Sequence, residues 1–342
     1  EYVSLNKQPA IDAINTAADN KIAEINSNAN ATAEEKVAAI EKVNADKMKA
    51  LTAINDNSVT TKSALDNAKT SGTIAIGNDN PVAMKKDTAK VAIDTALREK
   101  EAAIDANNDL TTEEKNAAKA DAQAKSTAAK TAIDNATTNA AVEQAKANGT
   151  TEVNNVNPTP VAKPAAKKAI DDALKAKNAA IDANNDLTDE EKTAAKADAK
   201  AKADAAKQAI DNETTNAGVD QAKTDGATSV GSVNLTAQAK PAAKKAIEDA
   251  LKAKNDAIDA NNDLTAEEKA KAKEDAKAKA DAAKRAIDNA TTNDAVTQAK
   301  NDGAASVDSV NPTAQAKPAA KKAIDAALKA KNAAIDANND LT

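Results

Sequence analysis

The sequence predicts an all-α protein, a linear array of three-helix bundles of about 77 residues each, drawn out into an elongated rod. Three observations predict it. The word NNDLT stands at Asn107–Thr111, Asn184–Thr188, Asn261–Thr265 and Asn338–Thr342, 77 residues apart each time. Between these words apolar residues return every three or four positions, the period of a helix. Roughly a quarter of the 342 residues are Ala, and Lys, Asp, Asn, Thr and Glu make up most of the rest; Ala, Lys and Glu are strong helix formers. Disorder is the competing reading of such a composition, and the regular period argues against it.

The period sets the domains. Residues 1–80 form a diverged first repeat, 81–157 the second, 158–234 the third and 235–311 the fourth, and 312–342 hold the first helix of a fifth. KPAAKKAIDDALKAKNAAIDANNDLTDEEK (Lys163–Lys192) returns as KPAAKKAIEDALKAKNDAIDANNDLTAEEK (Lys240–Lys269) and begins again at Lys317. The copy at Lys86–Lys115 is more diverged. In the first repeat NSNANATAEEK (Asn26–Lys36) replaces the NNDLT word, and about two extra residues sit near Asn57–Val59.

The third repeat serves to justify each element. A first helix is expected from about Pro164 to Asn184, because proline suits a first helical position where its missing N–H costs nothing. Ile170, Leu174, Lys177 and Ile181 make its stripe, and Asp171 and Lys175 are spaced as a surface ion pair. Asn184, Asn185 and Asp186 compete for backbone hydrogen bonds and stop the helix. Leu187 can pack against the next helix. Thr188 and Glu191 make a capping box, repeated at Thr111/Glu114, Thr265/Glu268 and Thr32/Glu35. NNDLT thus reads as the turn of a helical hairpin.

The second helix is expected over about Asp189–Asn212, with a seam of Ala195, Ala199, Ala203, Ala206 and Ile210. Thr214–Asn216 is the next cap signal. The third helix carries Val219, Ala222, Gly226, Val230 and Val233, and the same pattern holds at Val142–Val156 and Val296–Val310. Gly226 has two readings, a helix end or a small interface residue; the apolar pattern continues past it and favours the second. All eight prolines fall near the start or in the joints between repeats.

Composition excludes most chemistry. Cys, His, Trp and Phe are absent, and Tyr2 is the one aromatic. Without Cys or His the usual zinc, haem and iron–sulfur ligation is missing, as are Cys–His and Ser–His–Asp nucleophilic sites. A net charge of −6 opposes a phosphate-backbone partner, and no aromatic platform is present for stacking bases. No run of 18 apolar residues could span a membrane. The expectation is a monomer, not an enzyme, with no catalytic, cofactor-binding or metal-binding residue, no cofactor and no nucleic-acid partner. The chain reads as an internal piece of something longer.

Four features are candidate sites. Asp182, Asn184 and Asp186 match the start of a calcium loop, but Leu187 stands where such a loop needs Gly and Thr193 where it needs Glu; other repeats have Asn116 and Ala270 there. Glu190 and Glu191 are paired carboxylates, yet they lie in a first helical turn, where the helix dipole favours negative charge. Lys196, Lys200 and Lys207 alternate with Asp198 and Asp204 and read as a solvated face. The sequon at Asn135, repeated at Asn289, places its Thr in the turn between the second and third helices.

The unit AKKAIDDALKAKNAAIDANNDLTDEEK, with its later AID, TTN and the Val and Gly of the third helix, resembles a tandem repeat long described only as a domain of unknown function. That repeat occurs in very large wall-anchored surface proteins of Gram-positive bacteria, among them proteins named for extracellular-matrix binding and for methicillin-resistance-associated wall phenotypes. The resemblance covers nearly the whole chain and is most specific in A-I-D, L-T-x-E-E-K and T-x-N. It implies an extracellular, wall-anchored protein, an adhesin or biofilm component, with helical stalk repeats; helices of about 20–24 residues put the length of the array on the order of 150 Å. It transfers no site residue. The alternative is a multivalent module that binds a host matrix or plasma protein through helix faces.

Overall fold

The computed structural model describes residues 4–342; Tyr2 lies outside the described residues. Among these are thirteen α-helices and no strand. The first repeat contains α1 (Gln8–Asn26), α2 (Ala33–Asn55) and α3 (Lys62–Gly77); the second α4 (Lys85–Ala106), α5 (Thr112–Asn135) and α6 (Asn139–Asn154). The third contains α7 (Ala162–Ala183), α8 (Asp189–Asn212) and α9 (Asn216–Gly231); the fourth α10 (Ala239–Asp259), α11 (Ala266–Asn289) and α12 (Asn293–Asp308); α13 (Ala316–Ala337) follows.

The chain clusters into two compact units. One runs up to Lys163 and includes Thr214–Asn216; the other comprises Pro164–Glu213 and Ala217–Thr342. In the first unit, α1, α2 and α3 pack on one another, as do α4, α5 and α6. In the second, α10, α11 and α12 do the same. There Ile181 of α7, Leu187, Ala195 and Ala199 of α8, and Val233 beyond α9 share one apolar cluster.

Each bundle is held by few large side chains. Ile170, Ile181, Ile210 and Val230 are fully buried, Leu187, Val219 and Val233 nearly so, and Leu174 half-buried. The small seam of α8 is buried at all five expected positions, Ala195, Ala199, Ala203, Ala206 and Ile210. Alanine there lets the third helix approach until glycine is required. A Cβ added to Gly226 would lie 2.5 Å from the Ala206 Cβ and 2.9 Å from the Ile170 Cδ1. Gly72, Gly149 and Gly303 meet the matching alanines, Ala50, Ala129 and Ala283, at 2.6 Å or less. The third helix runs through its glycine, which is an interface residue and not a helix end.

Two local expectations change. α7 starts at Ala162, earlier than Pro164, so the proline is the third helical residue. Its missing N–H is still harmless, because first-turn N–H groups lack partners within the helix, and the Ala162 N–H donates to Glu114 Oε2 at 3.2 Å. Asp171 pairs with Lys207 of α8, across the bundle, where Lys175 was expected. The spacing of four residues is used one step along, by Lys168 and Asp172 at 2.9 Å.

α13 has no buried residue. Its Ile324, Leu328, Ile335 and the following Leu341 are exposed, whereas the matching Ile170, Ile181 and Leu187 are covered by their own bundle.

Candidate functional site: the joint between repeats

The NNDLT word and the four residues that follow its cap position, in T-x-E-E-K, build one assembly. In the third repeat Asn184 Oδ1 accepts the Asp186 N–H at 3.0 Å and tightens the turn. Leu187, 4 % exposed, turns into the core. Thr188 Oγ1 accepts the Glu191 N–H at 3.3 Å, and Glu191 Oε1 accepts the Thr188 N–H at 2.9 Å, a complete capping box. Lys192 Nζ donates to the Asp182 carbonyl at 2.9 Å and satisfies an acceptor at the end of α7.

The remaining groups reach into the next repeat. Glu191 Oε2 accepts the N–H of Gln238 at 2.9 Å and of Ala239 at 3.3 Å, where α10 begins. Glu190 Oε2 accepts the Asn293 N–H at 2.9 Å, at the first residue of α12. The Asp189 N–H donates to the Thr291 carbonyl at 2.7 Å. In return Lys240 Nζ donates to the Asn185 carbonyl at 2.8 Å and to the Asp288 carbonyl at 2.7 Å. One ammonium thus ties the turn of one repeat to the end of α11 in the next.

The pattern recurs. In the first unit Glu35 Oε2 accepts the N–H groups of Met84 and Lys85, Glu34 Oε2 that of Asn139, and the Thr137 carbonyl that of Ala33. Lys86 Nζ donates to Ala29 and Asp134 carbonyls. Glu114 serves Val161 and Ala162, Glu113 serves Asn216, and Lys163 donates to the Asn108 carbonyl at 2.7 Å. Glu268 serves Gln315 and Ala316, and Lys317 the Asn262 carbonyl. Lys86, Lys163 and Lys240 are all buried. A buried ammonium needs such acceptors, since an unpaired one is very costly.

Electrostatics follow the geometry. Burial pushes Glu35, Glu114 and Glu191 up, but the backbone N–H groups that each accepts outweigh it and hold all three below the ordinary carboxyl range. The Asn139 N–H holds Glu34 low. The N–H groups of Thr265 and then Gln315 bring Glu268 down to about 2.

These candidate residues take up structural posts. Asp182 pairs with Lys196, and Lys200 with Asp204. Thr137 and Thr291 of the two sequons lend their carbonyls to the joint. Among the described residues no group of three or more acidic, His or Cys side chains could hold a metal ion, and no helix is long and apolar enough to cross a membrane.

Sequence reasoning missed the lysines and the second use of the glutamates. The signal was present. A capping box needs only the second Glu of T-x-E-E-K, yet both recur in four repeats. Likewise Lys163, Lys240 and Lys317 all precede the first-turn proline, although a helix start needs no lysine there.

A family described as Domain of Unknown Function (DUF1542) matches residues 6–84, 85–161, 162–238 and 239–315. The chain is 31% identical over 338 residues to an extracellular matrix-binding protein EbhA of Staphylococcus aureus strain Mu3, covering 98% of this chain and 5% of that protein. It is 32% identical over 338 residues to EbhA of strain Newman, covering 98% of this chain and 10% of that protein. The chain therefore spans a small part of these relatives. A crystal structure of EbhA (756-1003 domain) from Staphylococcus aureus aligns at 19% identity with a TM-score of 0.23, covering 86% of this chain and 98% of that one.

Proposed function

Because this chain belongs to the DUF1542 family, we propose that its repeats are the stalk of a bacterial cell-surface protein, a spacer that carries a distal binding domain away from the wall. The joint is the observation that supports this reading. At the first three joints two glutamates of one repeat and a buried lysine of the next bind across the joint. Such nearest-neighbour coupling turns marginal units into a cooperative array. The exposed faces offer little to a ligand. Among the described residues they carry no Trp or Tyr anchor of the kind that dominates binding energy, and Arg98 and Arg285 are the only arginines of the chain. Many of their lysines are paired with Asp, along a helix as in Lys200–Asp204 and between helices as in Lys207–Asp171. In this reading the chain is extracellular, tethered to the wall by segments outside it, and monomeric.

The relatives' name favours a second reading, in which the repeats themselves bind extracellular matrix through helix faces. Immobilised fibronectin, fibrinogen, collagen and albumin separate the two in physiological salt. The stalk predicts no saturable binding tighter than about micromolar, or about −8 kcal/mol. Saturable binding below that Kd, persisting in moderate salt, would replace the stalk with the binding module.

A further inference from the structure

The first repeat departs from the others at one core position. Val156, Val233 and Val310 close the ends of the second, third and fourth bundles, packed with Leu110, Leu187 and Leu264. The first repeat has Asp79 at that place, only 3 % exposed. Its backbone N–H donates to the Ile76 carbonyl at 3.0 Å, but its buried Oδ2 has no hydrogen-bond partner.

The groups around Asp79 come from two helices. Asp46 of α2 faces it within hydrogen-bonding reach, and the facing cations are Lys42 of α2 and Lys21 of α1. Lys21 is shared with Asn80 Oδ1 at 2.6 Å and Glu24 Oε1 at 3.4 Å. In the later repeats the matching α-helical pair has the opposite order, Asp198 with Lys202 and Asp275 with Lys279. The inverted order is what brings a second carboxyl to Asp79. Two carboxyls this close, one of them buried, resist being ionised together. One shared proton makes Asp79 a donor and relieves the repulsion.

We propose that Asp46 and Asp79 form a proton-dependent latch at the end of the first repeat, closed when the pair holds a proton and loosened when both carboxyls are ionised. The pull on the pair is directional. Burial first, and then Asp46, push Asp79 up to about 6, against Lys42 and Lys21. A carboxyl raised in the folded state supports folding at low pH and loses that support as pH rises through its folded value. The latch therefore closes in mild acid and loosens above about pH 6. The segment it governs leads from Asp79 to Met84 and Lys85, whose N–H groups Glu35 holds. Proton uptake is thereby coupled to the first joint.

Hydrogen exchange of the whole chain, corrected for intrinsic rates, tests this at about pH 5 and about pH 7.5. Amides over 76–84 should lose roughly tenfold protection between the two, relative to 153–161 and 230–238. Asp79→Val copies the residue of the other repeats and should remove the difference, as should Asp46→Asn. If 76–84 tracks the other two segments, or if Asp79→Val keeps the pH dependence, the latch is overturned.

Discussion

Glu191 Oε2 accepts the backbone N–H of Gln238 at 2.9 Å, while the other oxygen of the same carboxylate caps α8 through Thr188. One side chain therefore begins two helices in two repeats. Glu191→Ala should cost about 2 kcal/mol, against about 1 kcal/mol for Thr188→Ala, which removes only the cap. Exchange at the Gln238 and Ala239 amides separates the two variants. It should quicken in Glu191→Ala and stay near wild type in Thr188→Ala.

Lys240→Ala should be worse than a typical surface lysine change. It removes two hydrogen bonds that a buried ammonium gives to the carbonyls of Asn185 and Asp288. Losing two such hydrogen bonds costs about 2 kcal/mol. Lys244→Ala, which breaks only the half-exposed pair with Asp288, should cost under about 1 kcal/mol. Denaturant unfolding of the two variants gives the comparison, and equal losses would remove Lys240 from the joint.

Gly226→Ala sets helix propensity against packing. Alanine would gain about 1 kcal/mol of propensity. Its Cβ would lie 2.5 Å from the Ala206 Cβ, so the helices must separate. Overpacking costs about 1–3 kcal/mol, and the net expected change is a lower Tm. Adding Ala206→Gly should restore part of the loss.

Acid should weaken the joints. Glu35, Glu114, Glu191 and Glu268 all have carboxyls below the ordinary value of 4.5, Glu268 at about 2. A carboxyl lowered in the folded state contributes stability that is present above its unfolded value and lost as pH falls through its folded one. Tm should hold from pH 7 to about 4.5 and fall steadily toward pH 2. Glu268→Gln should soften that fall. A Tm that is flat down to pH 2 would contradict the proposed electrostatics.

Much of the bundle was legible because helices advertise themselves locally. The Thr188/Glu191 box, the Ala195–Ile210 seam and the apolar run through Gly226 each depend on spacing within one helix, and each stands in the structure. The joint was hidden because its partners are distant in sequence. Glu190 and Asn293 are 103 residues apart, and the recurrence of both glutamates signals a second role without pointing to α12 as its partner. The Asp171 pairing failed for the same reason. A surface spacing of four residues lost to Lys207, which the bundle brings closer.

The stalk reading rests on successive repeats adding length, and small-angle X-ray scattering of the whole chain in solution tests that most directly. A three-helix unit sends the chain out at the end opposite to where it came in. A spacer of four such units should have a maximum dimension on the order of 150 Å and a radius of gyration about twice the ~20 Å of a globule of this length. A radius near ~20 Å would contradict it.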